Sequence, residues 1–361
     1  MRKVLFNLHL YLALFIGLFV VIVGVTGGIM AFEEDIDRFS NPKLFKVEPH
    51  GEPLSAAGML AAAARAYPGQ KIGTVRLPQG PEDSAVFNVR GRQMFLNPYT
   101  GESLGSRDPR TWLSRIHQLH LNLLIGPSGK PVVVAITGVL LFLVISGIYL
   151  WWPGKRATIA WAANWRRIQF DVHNTVGIYS AAFLLMLGLT GVVIHFDDDI
   201  EQGLHRMAGT AKIGKNTPSV PQAGAAQITP DQAIEFALAA MPGTKPLSVS
   251  VPPNSKGSYL VALRYPEDLT PGGRSWANVD QFSGKIVSFQ NSRTVAGGTR
   301  TIILNRAIHT GDIFGYLTKI LMSLSALMLV VQAITGYLMW WKKLRAKEFQ
   351  DQPARVSESV A

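Results

Sequence analysis

No cysteine occurs among the 361 residues. That absence excludes thiolate-bound iron–sulfur clusters, covalently attached c-type haem and structural disulfides, and leaves metal chemistry to histidine, carboxylate and methionine. Charge is also scarce. Asp, Glu, Lys and Arg make up 16% of the chain against 48% hydrophobic residues, a balance too apolar for an ordinary soluble enzyme of this size. In four stretches, 8–32, 131–152, 172–196 and 313–341, charge is missing altogether apart from Lys319. Each is long enough to cross the hydrocarbon core of a bilayer. Two signatures are lacking as well: no G-x-G-x-x-G sits between a strand and a helix, and no H-E-x-x-H occurs. The chain therefore carries neither a nucleotide or flavin fingerprint nor a hydrolase zinc motif, and an electron donor, if one is needed, is a separate partner or a membrane quinol.

What charge there is collects at the ends of these stretches. Arg2 and Lys3, then Lys155, Arg156, Arg166 and Arg167, then Lys342, Lys343, Arg345 and Lys347 lie on one side, and Glu33, Glu34, Asp35, Asp37, Asp197, Asp198, Asp199 and Glu201 on the other. The excess of basic residues places both termini and the 153–171 connection in the cytoplasm, and the long segments 33–130 and 197–312 outside. Net charge of +11 is thus largely a topology signal and not a nucleic-acid footprint, since no basic run is interleaved with aromatics on a soluble domain. The first stretch is too long for a signal peptide and runs into Phe-Glu-Glu-Asp without a small-residue cleavage site, so it reads as a retained helix.

The chain also repeats itself. Residues 1–32 align with the stretch ending at Phe196 at a constant offset of 164: His9 falls on His173, Gly24 on Gly188, Thr26 on Thr190 and Gly27 on Gly191. Further along the offset is 189, so that His120 falls on His309, Ser146-Gly147 on Thr335-Gly336, and Trp151-Trp152 on Trp340-Trp341. The Trp pairs suit an interfacial belt. The fold class that follows is an integral membrane, mainly α protein: a four-helix transmembrane bundle from two parallel repeats, each with an inserted periplasmic α+β domain. Its expected divisions are a first span (1–32), a first external domain (33–112), a His-bearing segment with the second span (113–152), a cytoplasmic connection (153–171), a third span (172–196), a second external domain (197–300), a His-bearing segment with the fourth span (301–341) and a cytoplasmic tail (342–361).

Each external segment reads as a helix followed by strands. Ser55 caps a helix stopped by Pro68-Gly69; strands are expected at 71–77, 84–90 and 92–97, and a turn Asn-Pro-Tyr-Thr-Gly-Glu closes the set. Thr229-Pro230-Asp231 starts the second helix, which ends at Pro242-Gly243; strands are expected at 247–251, 258–265 and 274–280, and Asp-Gln-Phe-Ser-Gly-Lys takes the place of the turn. Segments 205–226 and 266–273 read as loops. These turns, set between spans carrying LHLY, LHLNLLIG and HNTVGIY, resemble the PepSY-associated transmembrane helix family along nearly the whole chain. Its best-understood members are inner-membrane, haem-containing ferric-siderophore reductases of Gram-negative bacteria. The resemblance implies b-type haem, a periplasmic ferric siderophore as substrate, and reduction of Fe(III) to Fe(II).

Histidine in hydrocarbon is costly unless paired, metal-bound or facing a polar cavity. His9 and His173 occupy equivalent positions on duplicated helices, so a pseudo-twofold axis would turn both rings inward. Two opposed imidazoles are what six-coordinate haem iron requires. His120 and His309 repeat the argument at the other face and predict a second haem. His117, one turn before His120, and His195, at the far end of the third span, are competing ligands there, with His195 and His309 the main alternative pair. Such a cluster could instead hold zinc. Arg115 and Arg306 are candidates to neutralise haem propionates, whereas topology already accounts for Arg166 and Arg167. His50 and His205 read as surface residues. Gly17, Gly24, Gly27, Gly177, Gly188 and Gly191 would leave room for a porphyrin or let helices touch. Two other functions compete with electron transfer: a cofactor-free protein whose external domains bind or regulate envelope peptidases, and a siderophore or iron transport component.

Overall fold

The computed structural model describes residues 1–89, 91–215, 217–219 and 225–350. The tail at 351–361, the side chain of Lys347 and residues 220–224 of the loop segment lie outside the described residues. In chain order the helices are α1 (Arg2–Met30), α2 (Glu33–Ser40), α3 (Pro42–Phe45), α4 (Ala56–Ala66), α5 (Trp112–Asn122), α6 (Gly129–Trp151), α7 (Trp165–His195), α8 (Asp197–Met207), α9 (Pro230–Ala240), α10 (Gly297–Thr310) and α11 (Tyr316–Gln350). The strands are β1 (Thr74–Arg76), β2 (Ala85–Val89), β3 (Arg92–Leu96), β4 (Ser103–Arg107), β5 (Lys245–Ser250), β6 (Ser258–Arg264), β7 (Ser275–Asp280) and β8 (Ile286–Gln290). They form two compact units, a helical one (1–31, 116–195 and 319 onward) and a sheet-bearing one (32–115 and 196–318).

In the helical unit, α1, α6, α7 and α11 are each long and apolar enough to cross a membrane. Without water in a bilayer core every backbone group must be satisfied within the helix, and the hydroxyls here follow the same rule. Thr26, Thr137, Ser180, Thr190, Ser325 and Thr335 each donate to the carbonyl four residues back. Large apolar side chains such as Phe15 (78% exposed) and Tyr179 (69%) point outward, as lipid-facing residues do. Inward, Val20, Ile136, Leu184 and Leu329, one from each helix, close the middle of the bundle. Small residues set the contacts. A Cβ at Gly24 would strike Leu329 of α11, and one at Gly188 would come within 2.7 Å of Leu141 of α6. These two glycines are therefore helix contacts. Gly177 lies against Gln332, where a Cβ would meet Oε1 at 3.4 Å, while Gly17 has open space beside it.

The sheet-bearing unit holds one antiparallel sheet in the order β4-β3-β2-β1-β5-β6-β7-β8. The segments expected as two domains share it: β1 pairs with β5 in the register Thr74↔Ser250, Val75↔Val249 and Arg76↔Ser248. The Thr74 and Ser250 hydroxyls add a 2.8 Å hydrogen bond across the join. Both helices expected from sequence are present. Ser55 caps α4 by accepting from Gly58 N at 3.2 Å, and Thr229 with Gln232 forms a capping box on α9. Their alanine faces pack with Val75, Phe87, Val249, Val261 and Val279 in a single core. Strands β4 and β8 and the short helices α2 and α8 were not foreseen in the sequence. The acidic residues that open α2 and α8 suit the positive end of a helix, besides marking topology.

Asp280, at the end of β7, gives this unit an acid-sensitive point. Its burial works against ionisation, but amide hydrogens of Ser283 and Phe282 and the hydroxyls of Ser283 and Ser219 outweigh that and hold the carboxyl at about 2, below its ordinary 3.8. A depressed carboxyl contributes stability above its unfolded pKa, and that contribution disappears as pH falls through the folded value. The window is therefore about pH 4 down to 2, and the size about 2 kcal/mol. Asp280→Asn should lower unfolding stability at neutral pH by about that amount and lose the matching acid limb, in denaturant titrations repeated across this range.

Candidate functional site

His9 and His173 each lie in the third turn of their helices, and each ring hydrogen-bonds through Nδ1 to a hydroxyl on a neighbouring helix. His9 Nδ1 is 2.8 Å from Ser146 Oγ on α6, and His173 Nδ1 is 2.9 Å from Thr335 Oγ1 on α11. The direction of these bonds follows from where the hydroxyl protons go. Thr335 donates to Val331 O at 2.6 Å and Ser146 to Leu143 O at 3.2 Å. A hydroxyl has one proton: Thr335 gives its own to Val331 O and so accepts from the His173 ring, and the equivalent setting of Ser146 assigns it the same role toward His9. Nδ1 then carries the hydrogen, and Nε2 the lone pair. An imidazole held in this way by its far nitrogen is the form that ligates a metal.

The two rings occupy equivalent positions on α1 and α7. Beside them the chain narrows to glycine: a Cβ at Gly147 or at Gly336 would meet Cε1 of His9 or of His173, at 3.5 Å in both cases. Gln332 Nε2 donates to the His173 carbonyl at 2.9 Å, which ties α7 to α11 at this level. Along α1 the rings sit about 16 Å from Val20 and the apolar closure of the bundle. Among the described residues these two imidazoles are not joined by a third His, Cys, Asp or Glu arranged to hold a metal ion.

His120 stands in the last turn of α5, beyond the other side of that closure. Leu123 and Leu124 adopt positive φ of 53° and 62°, and a Cβ at Gly129 would run into the Asn122 carbonyl, so this tight corner fixes the end of α5. His120 Nδ1 lies 2.8 Å from Val23 O. A carbonyl only accepts, so Nδ1 donates and Nε2 is again the acceptor nitrogen. The ring rests on Gly27, where a Cβ would come within 2.8 Å of Cε1. Gly27→Ala should displace the ring and break the Val23 bond. The expected result is a shifted spectrum for any group bound at His120, with the His9 and His173 signals unchanged, read from the reduced spectra of the two proteins.

The remaining candidates fall in both units. His117 lies one turn before His120 on α5, and His195 ends α7. His309 lies on α10 and belongs to the sheet-bearing unit, as do Arg115 and Arg306. Arg115 is exposed, and Arg306 already pairs with Asp197 at 3.3 Å. Among the described residues, no group of three or more His, Cys, Asp or Glu is arranged to hold a metal ion, so the zinc cluster entertained for the histidines at 117, 120, 195 and 309 lacks a ligand set. Axial ligation needs two imidazoles and is not touched by this.

The sequence-wide comparison decides the family. The model of the PepSY-associated TM region matches residues 6–343. The chain belongs to this family. It is accordingly a PepSY-type membrane protein, with four apolar helices consistent with a multi-pass arrangement and an antiparallel sheet domain inserted among them. No curated protein matches its sequence.

Two findings in this family member were not anticipated. The hydroxyls of Ser146 and Thr335 select the histidine tautomers; their mutual equivalence was visible in the sequence, their hydrogen bonds were not. His205 is not a surface residue. It is 4% exposed and held by Thr210 at 2.7 Å and Thr299 at 3.0 Å, and Thr299 in turn donates to buried Glu201 at 2.7 Å. Lys212 pairs with the same Glu201 at 2.6 Å, and this pairing, with that to Asp198, raises the Lys212 pKa. His50 is exposed, as expected.

Proposed function

We propose that this protein is a b-type haem oxidoreductase of the bacterial inner membrane that reduces ferric siderophore on the periplasmic side and so releases iron. The observation that carries the reading is the matched setting of His9 and His173: two helices deliver two imidazoles, each locked by a hydroxyl into the tautomer that offers Nε2. Bound haem would supply one-electron transfer between a cytoplasmic reductant or membrane quinol and the ferric acceptor. The chain's own residues do the rest. Ser146 and Thr335 orient the rings and, by accepting from Nδ1–H, raise their basicity as ligands. The apolar closure at Val20, Ile136, Leu184 and Leu329 keeps water out of the middle. His120, with His195 or His117 of the same unit, would hold a second haem toward the periplasm.

The same reading takes the α1/α6 and α7/α11 pairs as two parallel repeats, both termini as cytoplasmic and the sheet-bearing unit as periplasmic. The charge bias at the span ends and the paired settings His9–Ser146–Gly147 and His173–Thr335–Gly336 support it. A ferric siderophore is the fitting substrate because Fe(II) is held far more weakly than Fe(III) by hard oxygen donors. The outer position of β4 and β8 in the sheet favours a different reading, in which the sheet takes up an envelope peptide as an added strand. Vesicles carrying the protein, with reductant trapped inside and a ferric siderophore with an Fe(II) indicator outside, separate the two. Reduction lost in His9→Ala supports the oxidoreductase, and reduction no faster than in empty vesicles contradicts it.

A further inference from the structure

In the helical unit, where α7 begins and α11 ends, a cavity of about 430 Å³ is lined by Arg166, Arg167, Gln169, Phe170, Lys342 and Lys343 among others. Four cations meet one carboxylate: Arg167 is answered by Asp171 at 2.8 Å. The other three have no acidic partner among the described residues. Lys342 donates to the neutral Gln169 Oε1 at 3.2 Å and lies over the Trp165 ring, and Lys343 lies over the Phe6 ring. Arg166 sits in the first turn of α7, where the helix end is itself positive and an anion is what stabilises it. The excess of three positive charges calls for a negatively charged occupant.

Gln169 points to the same occupant independently. It is 2% exposed, and its Nε2 has no hydrogen-bond partner among the described residues. A flipped amide would not cure this, because Lys342 only donates and so fixes Oε1 toward itself. A buried amide donor is thus left waiting for an oxygen, at a cost that only an acceptor removes. The surroundings say where that oxygen comes from. Trp165 (61% exposed) and Phe170 (47%) stand at the start of α7, with Trp161 (72%) just before it, as aromatic residues do at headgroup depth.

We propose that this cavity binds the phosphate of an anionic phospholipid, with Arg166, Lys342 and Lys343 neutralising it, Gln169 Nε2 donating to a phosphate oxygen, and Phe170 and Met339 meeting the glycerol and first methylenes. Basic pockets between spans on the positively charged side of a membrane protein take acidic headgroups in this manner. A choline headgroup would bring a fourth uncompensated cation to the same place. The assignment does not depend on haem.

The test uses the full chain, exposed in detergent to phosphatidylglycerol and phosphatidylcholine of matched acyl chains, with retained lipid counted by native mass spectrometry. Phosphatidylglycerol should be retained about tenfold better. The triple variant Arg166→Gln, Lys342→Gln, Lys343→Gln should lose that preference, whereas Lys46→Gln, Lys71→Gln, Lys245→Gln, which removes the same charge from the sheet-bearing unit, should keep it. Gln169→Leu leaves every charge in place and should still weaken the preference severalfold, which diffuse surface charge would not explain. Equal retention of the two lipids, or equal loss in both triple variants, overturns the proposal. So does displacement of the lipid by millimolar inorganic phosphate, which would make the pocket a soluble-anion site. Loss of haem with lipid preference intact in the pocket variant would assign the cations to porphyrin carboxylates, and overturns it as well.

Discussion

Replacing His173 by alanine should cost the purified protein the six-coordinate haem signal of the His9 side completely, and His9→Ala should do the same. The effect is all-or-none because an axial pair has no spare member: in the helical unit His120 and His117 lie on α5, and His195 is at the far end of α7 from His173. The hydroxyls should behave differently. Thr335→Val removes the acceptor of His173 Nδ1–H but leaves Nε2 in place, so haem should remain bound, about ten to one hundred times more weakly. Thr335→Ser, which restores the oxygen, should recover most of that. A merely structural threonine would not give this order of wild type, Ser and Val in haem affinity and in reduction midpoint, both read by optical titration.

Removal of the Asp231 carboxylate should have the second largest effect, on the sheet-bearing unit. This one side chain serves two helices. It stands in the first turn of α9 and accepts from the first two amides of α4, Ala56 N at 2.7 Å and Ala57 N at 3.1 Å. The Ser55 hydroxyl donates to it at 3.0 Å while capping Gly58 N. Two helix starts, 175 residues apart in the chain, thus share one negative charge. Asp231→Ala leaves both α4 amides without their acceptor and should lower the unit's stability by about 2 to 3 kcal/mol. Hydrogen exchange at Ala56 and Ala57 should speed up accordingly. Asp231→Asn keeps the shape without the charge and should lose about half as much.

The large features were legible because their cause is local. Four long charge-free stretches can only be satisfied as spans, and Ser55 and Thr229 announce their helices through the next three residues. The inserted strands with clear alternation, such as Ser258–Arg264, were also readable. β4 was not: Ser-Leu-Gly-Ser-Arg carries no alternating apolar face, and Gly105 at φ +127° sits at a register shift opposite Phe95. Pairing of β1 with β5 left no local mark either, since a strand edge does not name its partner. His205 was misread for a related reason. Its own neighbourhood is polar, and the residues that bury it, Thr299 above all, lie 94 positions away. The histidine pairs stood out because they were duplicated, while the hydroxyls that make them ligand-competent are ordinary residues until the helices meet.

The central claim is that His9 and His173 together hold a haem. The most direct measurement is the absorption spectrum, oxidised and dithionite-reduced, of the full chain produced with haem available and purified in mild detergent. The account predicts a Soret band and a sharp reduced α-band of a six-coordinate b-type centre, with both reduced by the same increment in His9→Ala and in His173→Ala. Absence of a Soret band from the folded wild-type protein, or a spectrum that neither substitution alters, would contradict it.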